Sequence, residues 1–171
     1  MDFKKILMTA KDVALLKEPT MRAVAADKDA LKPALIIVAA VSVLGALGYW
    51  IFPTTFGANL VYRPDLMWLL GQALSAFVAS VVALYLTGYL AVHLFKSKLP
   101  MEGFVRAGGY GMIVGALSVI PAVSLIGAVW TLVIFWSLLS KLAKLEVVEI
   151  IVLFVIDIVA FAFISMLFVG W

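Results

Sequence analysis

Asp157 lies near the middle of a long apolar run from Val147 to Trp171. A carboxylate at the centre of a bilayer is costly and should face the interior of a helix bundle with a partner. On its own helical face Ile150, Leu153, Phe154, Ala160, Phe161 and Ile164 offer none. Counting depth at roughly 1.5 Å per residue, Thr131, Ser80 and Tyr110 on other segments are expected at its level. Two uses remain open for Asp157: structural hydrogen bonding as a neutral acid, or handling of an ion or ligand. A proton or cation relay would normally add a second ionisable group at that depth, and the sequence offers none. His93 is the single histidine, and with Glu102 nearby it falls short of the ligand set of a zinc site. The chain has no cysteine, which excludes disulfides, thiolate metal sites and a catalytic thiol. Neither a serine nucleophile motif, nor a phosphate-cradling loop, nor paired acids in a soluble domain is present. The inventory predicts no catalytic residue, no cofactor and no metal: a protein that is not an enzyme.

The elements that must position these residues are read from composition. Of 171 residues, 65% are hydrophobic and 13% charged, whereas soluble domains run near 25% charged. This composition belongs to an integral membrane protein. A bilayer core of about 30 Å needs roughly 20 helical residues, and five segments qualify, at about 33–52, 66–94, 104–120, 122–139 and 147–171. The stretch 104–139 would measure roughly 54 Å as one helix, so it must turn, and Pro121 is the expected break, folding two spans into a tight hairpin. The fold class is therefore all-α, a polytopic membrane protein with five transmembrane helices. Residues 1–32 form a cytoplasmic amphipathic and connector segment ahead of the membrane domain 33–171.

Topology follows from the basic residues. Lys4, Lys5, Lys11, Lys17, Arg22, Lys28 and Lys32 precede the first span, Lys96, Lys98 and Arg106 border the third, and Lys141 and Lys144 separate the fourth from the fifth; only Arg63 falls on the other side. This places the N-terminus in the cytoplasm, the C-terminus outside, and the chain in a cytoplasmic or inner membrane. Tyr49, Trp50, Tyr62, Trp68 and Trp171 all map to the outer interface, as headgroup-level aromatics should. Trp130 and Trp136 fall inside span four and are expected to pack against lipid or a neighbouring helix.

Lys11 and Asp12 interrupt any signal-peptide core. Phe3, Ile6, Leu7, Ala10, Val13 and Ala14 instead recur at helical spacing, with Lys4, Lys5, Lys11 and Lys17 as cationic flanks. Such a helix suits an anionic membrane surface, or it packs beneath the bundle. Pro19 ends or kinks it, and Met21 to Ala30 lead on as a solvated connector. Small residues form ridges that let helix backbones approach: Gly71, Ser75, Ala79, Ala83, Thr87 and Ala91 on span two, Ala107, Gly111 and Gly115 on span three. They serve either internal packing or a seam for oligomerisation.

The assembled pattern resembles the YIP family of five-span Ypt/Rab-interacting membrane proteins, above all its short prokaryotic members. The likeness rests on a proline-containing segment before span one, Leu15-Leu16-Lys17-Glu18-Pro19, and on span three opening with Phe104-Val105-Arg106-Ala107-Gly108-Gly109-Tyr110-Gly111 and leading to Pro121. It covers nearly the whole chain. The acidic-leucine-glycine-proline type motif of eukaryotic members is reduced here to Pro19 with preceding leucines, so a Rab-type GTPase is not carried over as a partner. The resemblance implies a non-enzymatic protein of membrane organisation, a scaffold or accessory subunit, whose partners are the bilayer and a membrane protein or further copies of itself. No nucleic-acid partner is expected. The competing expectation is a small transporter or channel, with Asp157, Gln72, Tyr85, Tyr89 and Tyr110 along a polar path.

Overall fold

A computed structural model describes residues 2–51 and 65–168, apart from the side chains of 49, 50, 121, 161, 162 and 164–168. The expected aromatics Tyr62 and Trp171, Arg63, and the side chains of Tyr49 and Trp50 lie outside the described residues, as do the limits placed at 52 and 171. All regular structure among the described residues is helical: α1 (Phe3–Ala14), α2 (Glu18–Ala26), α3 (Leu31–Ile51), α4 (Leu66–His93), α5 (Met101–Gly111), α6 (Pro121–Ser137) and α7 (Val147–Phe168). Among the described residues, three helical stretches, Lys28–Gly48, Leu66–His93 and Ala122–Leu142, are long and apolar enough to cross a membrane.

Helix starts follow local chemistry. Asp2 caps α1 by accepting from the amides of Lys4 and Lys5, and Asp65 caps α4 by accepting from the Trp68 amide at 2.7 Å. The Glu149 carboxylate reaches back to the Glu146 amide at 2.8 Å at the entrance to α7. Leu16, Lys96 and Lys144 take φ values of 59°, 51° and 61°, each just past a helical segment, where a left-handed residue closes the last turn.

The segment expected as one helix from 104 to 120 is built of two kinds of turn. It begins as α5 and continues from Met112 to Val119 with 3-10 geometry before Ile120 extends (φ −105°, ψ 111°) and Pro121 opens α6. Ile120 avoids helical geometry as residues before proline do, and Pro121 sits where its missing N–H costs nothing. In a 3-10 helix residues three apart eclipse one another. This stacks Gly115 and Ser118 in one row against α3: a methyl on Gly115 would stand 2.7 Å from Val41 Cγ1, and one on Gly45 would stand 3.2 Å from Ser118 Oγ. The segment so wound packs against both α3 and α6, and apolar periodicity alone does not encode the winding. At its other end α6 passes into a π turn, Leu138–Leu142, instead of stopping at 139.

At the centre is α5. Every residue from Gly103 to Gly111 is buried, and α1, α2, α3, α4 and α6 all pack on it. Three glycines make this possible. A methyl on Gly108 would meet Leu84 of α4 at 2.7 Å, on Gly109 Ala34 of α3 at 2.8 Å, and on Gly111 Ile134 of α6 at 2.6 Å. Arg106 is buried among them, donating from Nη1 to the Ala25 carbonyl at 3.0 Å and pairing through Nη2 with Glu102. Ala25 lies in the last turn of α2, where carbonyls lack helical partners and a cation complements the dipole. The N-terminal pair of helices is thereby fastened to the bundle.

Overpacking of a filled core costs about 1–3 kcal/mol. Gly109→Ala should lose stability of that order in detergent, because Ala34 backbone atoms also lie within 3.4 Å of the added methyl. Gly71→Ala should lose none, since among the described residues nothing lies within 4 Å of its methyl. Thermal unfolding of the two variants checks this; equal effects would remove α5 from its central place.

Candidate functional site

Asp157 sits on the side of α7 that faces α4, and the partner it finds is Thr87. Thr87 Oγ1 lies 2.6 Å from Asp157 Oδ2 and 2.7 Å from the Ala83 carbonyl of its own helix. Thr87 is the donor in both contacts, its one hydroxyl proton shared between the Asp157 carboxyl group and the Ala83 carbonyl. Asp157 Oδ1 is buried and meets no hydrogen-bond partner. In an environment with few polar alternatives, a linked pair of this kind is stable only while both members are present.

The pair lines a cavity of about 370 Å³ between α4, α6 and α7, with Ser80, Thr131, Leu84, Phe135 and Phe154 in its walls. A second cavity, of about 280 Å³, reaches from Gln72 past Ser42, Ser118 and Ser124, and shares Ser80 and Thr131 with the first. Thr131 donates its own proton to the Gly127 carbonyl at 2.8 Å. Ser80 and Thr131, expected at the depth of Asp157, do gather with it; Tyr110 does not. Tyr110 is buried on α5 and faces a groove between α1, α2 and α3 that Lys5, Thr20, Asp27 and Lys32 also line. Thr87 was visible in the sequence only as a member of the small-residue ridge. It lies two turns along α4 from Ser80, beyond the level that an upright count of residues would assign to Asp157.

The other singled-out residues have local partners. The His93 ring contacts the Tyr89 carbonyl at 2.9 Å and stacks on the Tyr89 ring at 4.0 Å, while Glu102 engages Arg106. Among the described residues no three potential metal ligands cluster. On the α4 ridge Ala79, Thr87 and Ala91 are buried, whereas Gly71 is exposed; Ala107, Gly111 and Gly115 all face neighbours.

Helix α1 seats Ile6, Ala10 and Val13 against the bundle and leaves Phe3, Leu7 and Met8 exposed beside Lys4, Lys5 and Lys11. Lys17, also exposed, pairs with Asp12 at 2.8 Å. The Trp130 indole donates to the Ala14 carbonyl at 2.8 Å and ties α1 to α6.

No protein family, curated protein or solved structure matches the chain.

Thr87→Val keeps the shape and removes the hydroxyl, stranding a buried acid at a cost of about 1–3 kcal/mol. Thr87→Ser should stay near the parent, and the double variant Thr87→Val with Asp157→Leu should recover most of the loss, because an apolar pair leaves nothing unsatisfied. Unfolding in detergent measures all three, and a parent-like Thr87→Val would show that the bond carries no weight.

Proposed function

We propose that the protein is a non-enzymatic five-span membrane protein, similar to the YIP family, that serves as a scaffold or accessory subunit through helix and lipid contacts. Five crossings are supported by length. The α5 and 3-10 segments together extend about 33 Å at 1.5 and 2.0 Å per residue, and the 22 residues of α7 extend about 33 Å; each matches a hydrocarbon core of about 30 Å. The distribution of basic residues supports a cytoplasmic N-terminus in a cytoplasmic or inner membrane, with the lysines of α1 toward anionic lipid.

The observation that carries the scaffold reading is the half-filled ridge on α4. Ala79, Thr87 and Ala91 are buried inside the chain. Toward the other end Gly71 meets nothing within 4 Å among the described residues, and Leu66, Met67, Leu70 and Leu74 beside it are exposed. In lipid, helices associate through small residues that admit a neighbouring backbone, so the open half is a seat for a helix of another membrane protein or of a second copy. Purification from native membranes in mild detergent, followed by quantitative mass spectrometry, should recover one such partner at fixed stoichiometry. Gly71→Leu should release it without changing the thermal stability of the chain itself. Recovery of the parent protein alone and monomeric, or retention of the partner by Gly71→Leu, would defeat the proposal.

A transport reading has one observation in its favour, the shared walls of the two cavities, which join Gln72 to Asp157 through Ser80 and Thr131. Under that reading Asp157→Asn would assemble normally yet abolish flux in proteoliposomes; unchanged flux would reject it.

A further inference from the structure

The groove between α1, α2 and α3 has a volume of about 1030 Å³, at the upper end of the range of small-ligand sites. Tyr110 forms part of its floor. The residue is 5% exposed, its hydroxyl makes no hydrogen bond among the described residues, and that hydroxyl is not sealed from the groove. The field of the Asp27 carboxylate reaches the phenol. A buried phenol usually finds a partner, so this one is left for an occupant of the groove.

The rim carries charge of both signs. Lys5, Lys28 and Lys32 share it with Asp2, Asp27 and Asp29, and all six are exposed. Among the described residues none of the six belongs to an ion pair, although three ammonium and three carboxylate groups line one groove. One oxygen each of Asp2 and Asp27 caps a backbone turn, and the second makes no hydrogen bond. The carboxylates do not converge on one point, since no three potential metal ligands cluster among the described residues. A simple anion placed here would meet carboxylates as well as lysines, and a simple cation the reverse. The complementary ligand carries both signs: a phosphate that accepts from lysine and from the Tyr110 hydroxyl, and an ammonium whose N–H groups donate to the aspartates.

The position of the groove says how such a ligand is delivered. Gly109, next to Tyr110, packs on Ala34 in the first turn of α3, so the floor lies where the apolar stretch Lys28–Gly48 begins. Lys32 stands at the head of a row on α3 that continues at helical spacing through Ile36 and Ala40 to Val43 and Leu44, the last two 49% and 37% exposed. An acyl chain fits along that row when its headgroup occupies the groove.

We propose that this groove holds the headgroup of a phosphatidylethanolamine-type lipid, with the phosphate on Tyr110 and the lysines, the ammonium on the aspartates and an acyl chain along α3. The proposal rests on the reading of the chain as a membrane protein with lipid contacts. It is independent of the helix seat at Gly71, whose test reads a partner protein and not a lipid.

The test is titration of the full chain in detergent micelles with dioleoylphosphatidylethanolamine, counting retained lipid by native mass spectrometry. One saturable molecule per chain is expected, held about tenfold or more tighter than the phosphatidylcholine or phosphatidylglycerol with the same chains. Tyr110→Phe should weaken binding about tenfold, yet unfold like the parent in the absence of lipid, because the lost hydroxyl has no partner in the protein. The exposed pair Lys28→Gln with Lys32→Gln should weaken binding at least as much, and it carries the test if Tyr110→Phe does not fold. Asp29→Asn should narrow the preference over phosphatidylglycerol, and Gly71→Leu should bind like the parent. The proposal is overturned if no saturable lipid is retained, if phosphatidylglycerol binds the parent as tightly, or if Tyr110→Phe and the lysine pair both bind like the parent. Equal competition by chain-free glycerophosphoethanolamine would overturn it too, since the occupant would then be a soluble molecule.

Discussion

A helix buried on every side must let its neighbours come almost to its own backbone, because five helices cannot surround a cylinder thickened by large side chains at ordinary separations. In this protein α5 meets that demand with glycine. Gly108, Gly109 and Gly111 point toward three different helices, and each stands where even a methyl group would collide. Arg106, buried within α5, is used to satisfy the open end of α2. Interiors packed this closely transmit small changes in volume, so the position of every surrounding helix depends on the glycines of α5.

The arrangement of α4 follows from that constraint. Around Leu84 and Gly88 it is drawn against α5 and the loop before it: Gly88 would place a methyl 3.1 Å from the Met101 carbonyl oxygen. At its other end no such contact holds it among the described residues, and large apolar side chains face outward. Thr87 lies within the closely held half, and α7 packs against α4, which brings Asp157 to it. The polar contact is thus a product of helix packing set elsewhere.

Much of the architecture was legible in the sequence. Long apolar segments and Pro121 located the long helices and the turn, because solvent and proline geometry act on the chain locally. Less legible was anything that depends on how helices lean on one another. Reading depth by counting residues found Ser80 and Thr131 but missed Thr87 and misplaced Tyr110, since the count treats every helix as upright and starting from a common level. The 3-10 winding from Met112 to Val119 has no composition signal in this apolar stretch. In α1 the apolar stripe was evident, yet the choice of Ile6, Ala10 and Val13 over Phe3 and Leu7 for the bundle depends on where α5 and α6 stand.

The encirclement of α5 also has a consequence in time. Chains emerge from the N-terminus, so α1 to α4 exist before α5, and Gly109 can meet Ala34 as soon as α5 is made. Gly108 can likewise meet Leu84 of α4, whereas Gly111 waits for Ile134, which comes from the far arm of the Pro121 hairpin. Until synthesis has passed Ile134, Gly111 lacks its closest neighbour, and the bundle becomes closed only when α6 folds back across α5.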